Sequence, residues 1–350
     1  MRPSNPTAPP VTSAAPPLPV PRGPISEALL DALVESPHEL DLPALDPPAD
    51  PLSDEDLQLS LYACYELHYR GFAGVDPEWE WSPALLAARA GLERAFLDRV
   101  EELAPRPAAV VPEAVGESLF ALAQADDGPS LSRYLETRGT PDQFRELMIH
   151  RSAYQLKEAD PHTWGLPRLY GAAKSAMVEI QADEYGGGRV GRMHSTLFAK
   201  TMAVLGLDPS YGAYLDRIPA STLATVNLIS LLGLHRRHRG ALVGHLAMVE
   251  ITSALPSRRY GNALRRFGLA SPDALDFYDE HVEADSVHEN IAAYDLAQGL
   301  AVAEPALAVD VIFGAAALLA LDTQLAARIL GRWEAGESSL LAGLAVAASG

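Results

Sequence analysis

Cysteine is almost missing from this chain: Cys64 is the one such residue in 350. A lone thiol excludes an intrachain disulfide and any cysteine-ligated zinc or iron–sulfur site, and it suits a reducing cytoplasm. Basic residues are also scarce. Lys and Arg number 27 against 46 Asp and Glu, leaving a formal net charge of −19. Nucleic acid and anionic membrane surfaces reward clustered cations, so neither is expected as a main partner. Long apolar runs are absent too. The longest, Val311 to Leu321 ("VIFGAAALLAL"), sits between Asp310 and Asp322. It is too short for the roughly 20 residues that cross a bilayer and reads as part of a buried core helix. The N-terminal segment offers no apolar stretch of the kind that drives secretion. A soluble, cytoplasmic protein is expected.

What the chain has in plenty is proline at one end and helical periodicity everywhere else. Residues 1–52 hold 14 of the 28 prolines and read as a largely disordered arm, with room for a short helix over 25–35. From Ser53 the texture changes: Ser53 reads as an N-cap before three acids in a first turn, then apolar residues at helical spacing. Similar patterns recur over 83–103, 113–125, 131–137, 141–154, 171–200, 220–234, 238–254, 260–267, 274–301, 305–321 and 323–335. Hydrophobic residues make up 48% of the chain, enough for a sizeable core, and no stretch alternates with period two. The fold class is all-α. Residues 53–340 are expected to form one domain, with 53–140 as accessory helices and 141–340 as the core.

Four stretches concentrate chemistry. In "HVEADSVH", His281, Asp285 and His288 stand at i, i+4 and i+7. On a helix, at about 100° per residue, they point within roughly 60° of one another. Imidazole and carboxylate together suit Zn, Fe or Mn. The bland alternative is a solvated face, since Glu280, Glu283 and Glu289 surround them. The stretch "EIQADEYGGGRVGRMH" carries Glu184 and His194 on either side of Gly186, Gly187 and Gly188. Mid-helix glycine costs up to about 1 kcal/mol relative to alanine, so the run marks a kink, a bulge or an ordinary helix end. In a straight helix Glu184 and His194 would stand about 15 Å apart along the axis; only a break at the glycines lets both reach one small site.

Glu250 lies inside the apolar run "LAMVEITSAL", where a carboxylate needs a partner: a metal, or Arg258 or Arg259. His245 looks incidental on another face. Glu158 ends a helical run just before Pro161, with Asp160 and His162 nearby; a helix-end acid without a ligand role is the simpler reading. Cys64 reads as buried between Tyr62 and Tyr65. The glycine pattern in "YGGGRVG" follows a helix and not a strand, which argues against a dinucleotide site. "HRRHRG" reads as a polar turn, and Trp79 and Trp81 as packing around a loop.

Taken in order, these motifs resemble the haem-oxygenase-like di-iron oxidases, often labelled iron-containing redox enzymes. The likeness is to a Glu and a His on one core helix (Glu184, His194), a lone Glu on the next (Glu250), and H-x3-D-x2-H on a third (His281, Asp285, His288). The phrases "ITSALPSRRYGNALRRFG" and "LYACYELHYRGFAGVDPEWEWSP" look like that family as well, so the likeness runs from about Ser53 to Ala335.

The resemblance implies a haem-oxygenase-like helical bundle, with additional N-terminal helices, that binds two irons and uses O₂ as co-substrate. Glu158, which falls where N-oxygenating members carry an extra carboxylate ligand, joins the implied metal set. The spacing of Glu184 to His194 is also longer than in C–C-cleaving members. N-oxygenation of an amine or related nitrogen of a small metabolite, through a peroxo-di-iron(III) species, is the implied reaction. Oxidative C–C cleavage or desaturation is the alternative, and a haem-binding or non-catalytic helical bundle is the rival outside this chemistry. An external reductant is expected because the chain has no flavin or nicotinamide motif. The expected partners are a small-molecule substrate and an unidentified electron donor, with a homodimer left open.

Overall fold

The computed structural model describes residues 15–44 and 50–342, apart from the side chains of residues 284–286. Among the described residues the regular elements are helices, and no strand occurs. In chain order they are α1 (Pro24–Leu33), α2 (Glu55–Glu66), α3 (Pro83–Leu103), α4 (Val115–Ala125), α5 (Leu131–Thr137), α6 (Pro141–Gln155), α7 (Asp160–Thr163), α8 (Gly171–Glu184), α9 (His194–Val204), α10 (Ala220–Leu234), α11 (Arg239–Arg266), α12 (Pro272–Asn290), α13 (Gly299–Ala303) and α14 (Ala308–Glu334). A π-helical stretch, Ile291–Gln298, joins α12 to α13 without a break.

Local chemistry sets the helix starts. Asp54, not Ser53, caps α2, its side chain accepting from the Leu57 amide at 2.7 Å. Thr140 and Gln143 form a reciprocal capping box at the start of α6, with Pro141 at the first helical position. Most side chains of α10 are buried, as an apolar helix without a polar face demands.

The core converges on α11, whose residues join three hydrophobic clusters. One groups it with α5, α6, α9, α12 and α14, another with α4, α8, α14 and the π stretch, and a third with α2, α3, α10 and α14. A fourth cluster packs α1 and Trp79 onto α2, α6 and α10. The helices α11 and α14 touch backbone to backbone. A methyl group added at Gly244 would overlap the Val311 carbonyl, and one at Gly314 the Ala241 carbonyl.

Three sequence expectations change. The proline-rich arm is not loose over its described part: α1 buries Leu29, Leu30 and Leu33, and Arg22 pairs with Glu55 at 2.7 Å. Short apolar patches on a proline-spaced chain are enough when a preformed core receives them. Next, the helix break expected near Pro256 does not occur. Proline removes one amide and clashes with the preceding turn, but burial of Glu250, Ser257 and Tyr260 on either side keeps α11 continuous. Likewise α14 runs unbroken through Asp322. The stretch Pro305–Glu334 is long and apolar enough to cross a membrane by length and composition, yet half of its most apolar window is buried within the bundle.

Candidate metal centre

Glu184 is the last residue of α8 and His194 the first of α9. Between them Gly186, Gly187 and Gly188 take φ of +65°, +59° and +76°, the left-handed region that glycine enters at little cost. The chain therefore ends one helix, reverses and starts another, and the ten-residue interval closes to 3.0 Å between His194 Nδ1 and Glu184 Oε2. A helix end and a sharp bend are the same event here. Glu158 arrives from the turn after α6, followed by Ala159 with φ of +76°. That is the one non-glycine residue with positive φ among those described.

These elements gather Glu158, Glu184, His194 and His281 into one cluster. Each offers a ligand atom within 4.8 Å of the others, and all four residues are buried. Glu158 Oε1 lies 3.7 Å from His281 Nε2, and the His194 and His281 rings are 4.4 Å apart. Glu250 and His288 make a second pair alongside, His288 Nδ1 standing 3.5 Å from Glu250 Oε2, with both residues buried.

The histidines are aimed from behind. His281 Nδ1 lies 2.6 Å from the Phe277 carbonyl. A carbonyl can only accept, so Nδ1 carries the proton and the Nε2 lone pair is turned toward Glu158. His288 Nε2 meets the Asp183 carboxylate at 3.0 Å, which turns Nδ1 toward Glu250. This backing of an imidazole by a carbonyl or carboxylate is how metal-ligating histidines are oriented.

Glu158 Oε2, His194 Nδ1 and His288 Nδ1 are enclosed and make no directed hydrogen bond. His194 and Glu184 therefore face each other at contact distance without sharing a proton along a good line. Buried polar atoms left in this state are costly, and a cation between them would satisfy them.

Electrostatics agree with the geometry. Burial pushes the Glu184 carboxyl up, but His194, His281 and His288 together hold it below the usual carboxylate range. Burial lowers His194, and the facing Glu184 more than restores it. His288 is raised to about 9, first by the Glu250 carboxylate facing its ring and then, against burial, by Asp183. An enclosed space of about 20 Å³ lies among Glu158, Glu184, Glu250 and His281. It borders a cavity of about 1350 Å³ that shares Tyr154, Glu158, Val249, Ser253 and His281 with it.

The structure thus brings together six of the seven residues singled out from the sequence. The Asp285 side chain lies outside the described residues. Arg259 turns to Glu136 at 3.8 Å, not to Glu250. Two features escaped sequence reading. Asp183, next to Glu184, backs His288, and no spacing marked it. His245, read as incidental, meets His162 at 3.1 Å deep in the bundle, where burial pushes His162 down to about 4. Cys64 is buried as expected, its thiol pushed up to about 12.

A helical bundle with buried carboxylates and imidazoles converging on one small space is the architecture of a metal-dependent oxidoreductase. Residues 145–323 match the model of the iron-containing redox enzymes, and the chain belongs to that family, with its haem-oxygenase-like all-α fold. A curated relative, the nitrosourea synthase of Streptomyces achromogenes subsp. streptozoticus, is 28% identical over 234 residues. The match covers 63% of this chain and 49% of the relative, so this chain spans about half of that protein's length.

Proposed function

We propose that this chain is a non-haem di-iron oxygenase that N-oxygenates an amine or related nitrogen of a small metabolite. The observation that carries the proposal is the buried cluster of Glu158, Glu184, His194 and His281, with Glu250 and His288 beside it. Six donors of mixed nitrogen and oxygen character, without thiolate, fit iron, and their number allows two ions with positions to spare. Asp285 belongs to the proposed set by its place one turn from each of His281 and His288. Iron bound there supplies the activation of O₂.

The chain's own residues do the rest. Phe277 and Asp183 fix the two imidazoles of α12, so the donor atoms are set before metal arrives. Glu158, held on the turn after α6, adds a fourth carboxylate and with it negative charge that favours the oxidised metal. Tyr154 lies where the enclosed space meets the large cavity, on the path a substrate nitrogen would take. The relative is a nitrosourea synthase, and nitrogen chemistry of that kind favours N-oxygenation over C–C cleavage. Electrons come from a separate donor, in a cytoplasmic setting.

Anaerobic loading with Fe(II), metal analysis, and exposure to O₂ with a panel of amines tests the reading. Two irons per chain and products heavier by oxygen are expected. Products that have lost carbon would move the assignment to oxidative cleavage, and a Soret band would sink the di-iron site. His281→Ala and Glu184→Ala should each lower iron stoichiometry while circular dichroism keeps the helical signal. Retention of both irons in either variant would overturn the ligand assignment.

A further inference from the structure

The turn between α10 and α11, "HRRHRG", gathers positive charge in a chain that is otherwise strongly acidic. Arg236 and Arg237 are exposed there. Arg168 joins them from the loop before α8, its guanidinium donating to the Gly233 carbonyl and, at 2.8 Å, to the Leu234 carbonyl. Arg237 Nε turns back to His238 Nε2 at 2.9 Å. The acids that touch this turn are already taken: Glu93 by Arg89 at 3.1 Å and His235 at 2.9 Å, and Glu304 by Arg239. Among the described residues, no carboxylate pairs with Arg168, Arg236 or Arg237. The local field is positive enough to act on its neighbours. Burial first, then Arg237, His235 and Arg106, bring the His238 imidazole down to about 4.

The same turn lies a short way from the metal centre. Gly233, whose carbonyl receives Arg168, packs against the segment after α7: a methyl group added there would overlap the Pro161 carbonyl and stand 3.6 Å from the Trp164 Cβ. Trp164 is partly exposed. It follows His162 by two residues in one helical turn, about 3 Å along the axis, and its amide bonds the His162 carbonyl. His162 is buried and lines the enclosed space together with Glu158 and Glu184. Tyr170, 61% exposed and two residues beyond Arg168, adds an aromatic surface of the kind that interfaces favour. The other short approach, over the glycine loop that joins α8 to α9, is acidic. Arg192 there is occupied by Glu280, and Glu283 and Asp183 add their charge.

We propose that Arg168, Arg236 and Arg237, with Tyr170, form the docking surface for a small acidic iron–sulfur electron carrier, and that Trp164 and His162 form the path inward from it. The proposal rests on the di-iron reading and deepens it by naming the partner and the place where electrons enter. Each docked carrier is oxidised by one electron, and two in succession reduce two ferric ions to ferrous; no atom or group is transferred. A net charge of −19 repels an acidic protein over most of this surface, so the arginine turn selects the orientation as well as the partner. Three arginines are too few to hold a nucleic acid against that repulsion.

Calorimetry of the iron-free full chain with an oxidised plant-type 2Fe–2S ferredoxin tests docking apart from any reaction. Binding should weaken at least tenfold as salt rises from about 0.02 M to about 0.2 M, which shortens the screening length roughly threefold. The double variant Arg236→Glu, Arg237→Glu should weaken it at least tenfold. Arg189→Glu, a charge reversal on the glycine loop, should leave it within about twofold. On the iron-loaded chain, Trp164→Leu should keep the ferredoxin affinity and slow iron reduction by ferredoxin at least tenfold, while sodium dithionite reduces variant and parent alike. Circular dichroism qualifies the variants, and the salt series needs none of them. Absent binding, binding indifferent to salt, or an equal loss in Arg189→Glu would overturn the docking surface. Unslowed reduction in Trp164→Leu would overturn the path, and tighter binding of an acidic flavodoxin would overturn the iron–sulfur choice. A chain that docks ferredoxin in this pattern yet takes up no iron would leave the surface standing and sink the di-iron reading. Two irons and dithionite-driven oxygenation without ferredoxin binding would do the reverse.

Discussion

Lys157 and Glu158 are neighbours in the chain but face different interiors. Glu158 turns into the metal cluster, whereas Lys157 reaches Glu66 of α2 at 2.9 Å, both side chains almost wholly buried. Tyr211 donates to the same carboxylate at 2.6 Å, and the ammonium lies 4.1 Å from the Tyr69 ring centre. Breaking a buried pair strands the remaining charge, so Lys157→Met should cost about 3–5 kcal/mol in urea unfolding. The double variant with Glu66→Gln should recover much of that loss; no recovery would mean the pair is not the cause. Ala159, next along, pays for its left-handed backbone. Ala159→Gly should stay within about 0.5 kcal/mol of the parent, where this exchange in a helix costs about 0.5–1 kcal/mol. At this scale the sequence was partly legible. The spacing of His281 and His288 and the isolation of Glu250 in an apolar run pointed inward correctly. Lys157 was invisible because its partner is 91 residues away and no local pattern encodes it.

Among the elements, the pairing of α11 with α14 decides where α11 presents Glu250. Gly244 stands six residues before Glu250 and lets the two backbones meet. Gly244→Ala should therefore cost about 1–3 kcal/mol, read as a lower melting temperature, with the loss spreading to iron retention. Unchanged stability would show that the helices are farther apart than described. Helix type was readable almost throughout, because 3.6-residue periodicity is strong in a chain this rich in Ala and Leu. Helix continuity was not. Pro256 and Asp322 look like breaks locally, but burial on both sides overrides one, and the other stands at an exposed position of α14. The π stretch that begins at Ile291 was equally hidden; it packs in one cluster with α8, and no local pattern marks it.

For the whole molecule, acid sensitivity follows from buried neutral histidines. His150 bonds Thr222 at 2.7 Å and Ser339 at 3.0 Å, tying α6 to α10 and to the chain beyond α14. Burial pushes it down to about 3. Its folded pKa lies below the unfolded value of about 6.5, so the fold resists a proton that the unfolded chain accepts. The stability from this group is complete above pH 6.5 and drains as pH falls toward 3. Glu146, held below the usual carboxylate range as Ser338, Ser339 and Trp333 outweigh its burial, acts in the same direction at lower pH. Urea midpoints should fall steadily from pH 6.5 to 4, and His150→Gln should flatten that slope. An unchanged slope would place the acid sensitivity elsewhere.

The Lys157–Glu66 contact also bears on inheritance. The segment shared with the iron-containing redox enzymes, residues 145–323, contains Lys157 but not Glu66. A recombinant that swapped only this segment between relatives would import a buried cation without its counter-charge. The helices ahead of the shared segment are thus heritable cargo of the metal core, and exchange between relatives is viable only when both sides of that boundary travel together.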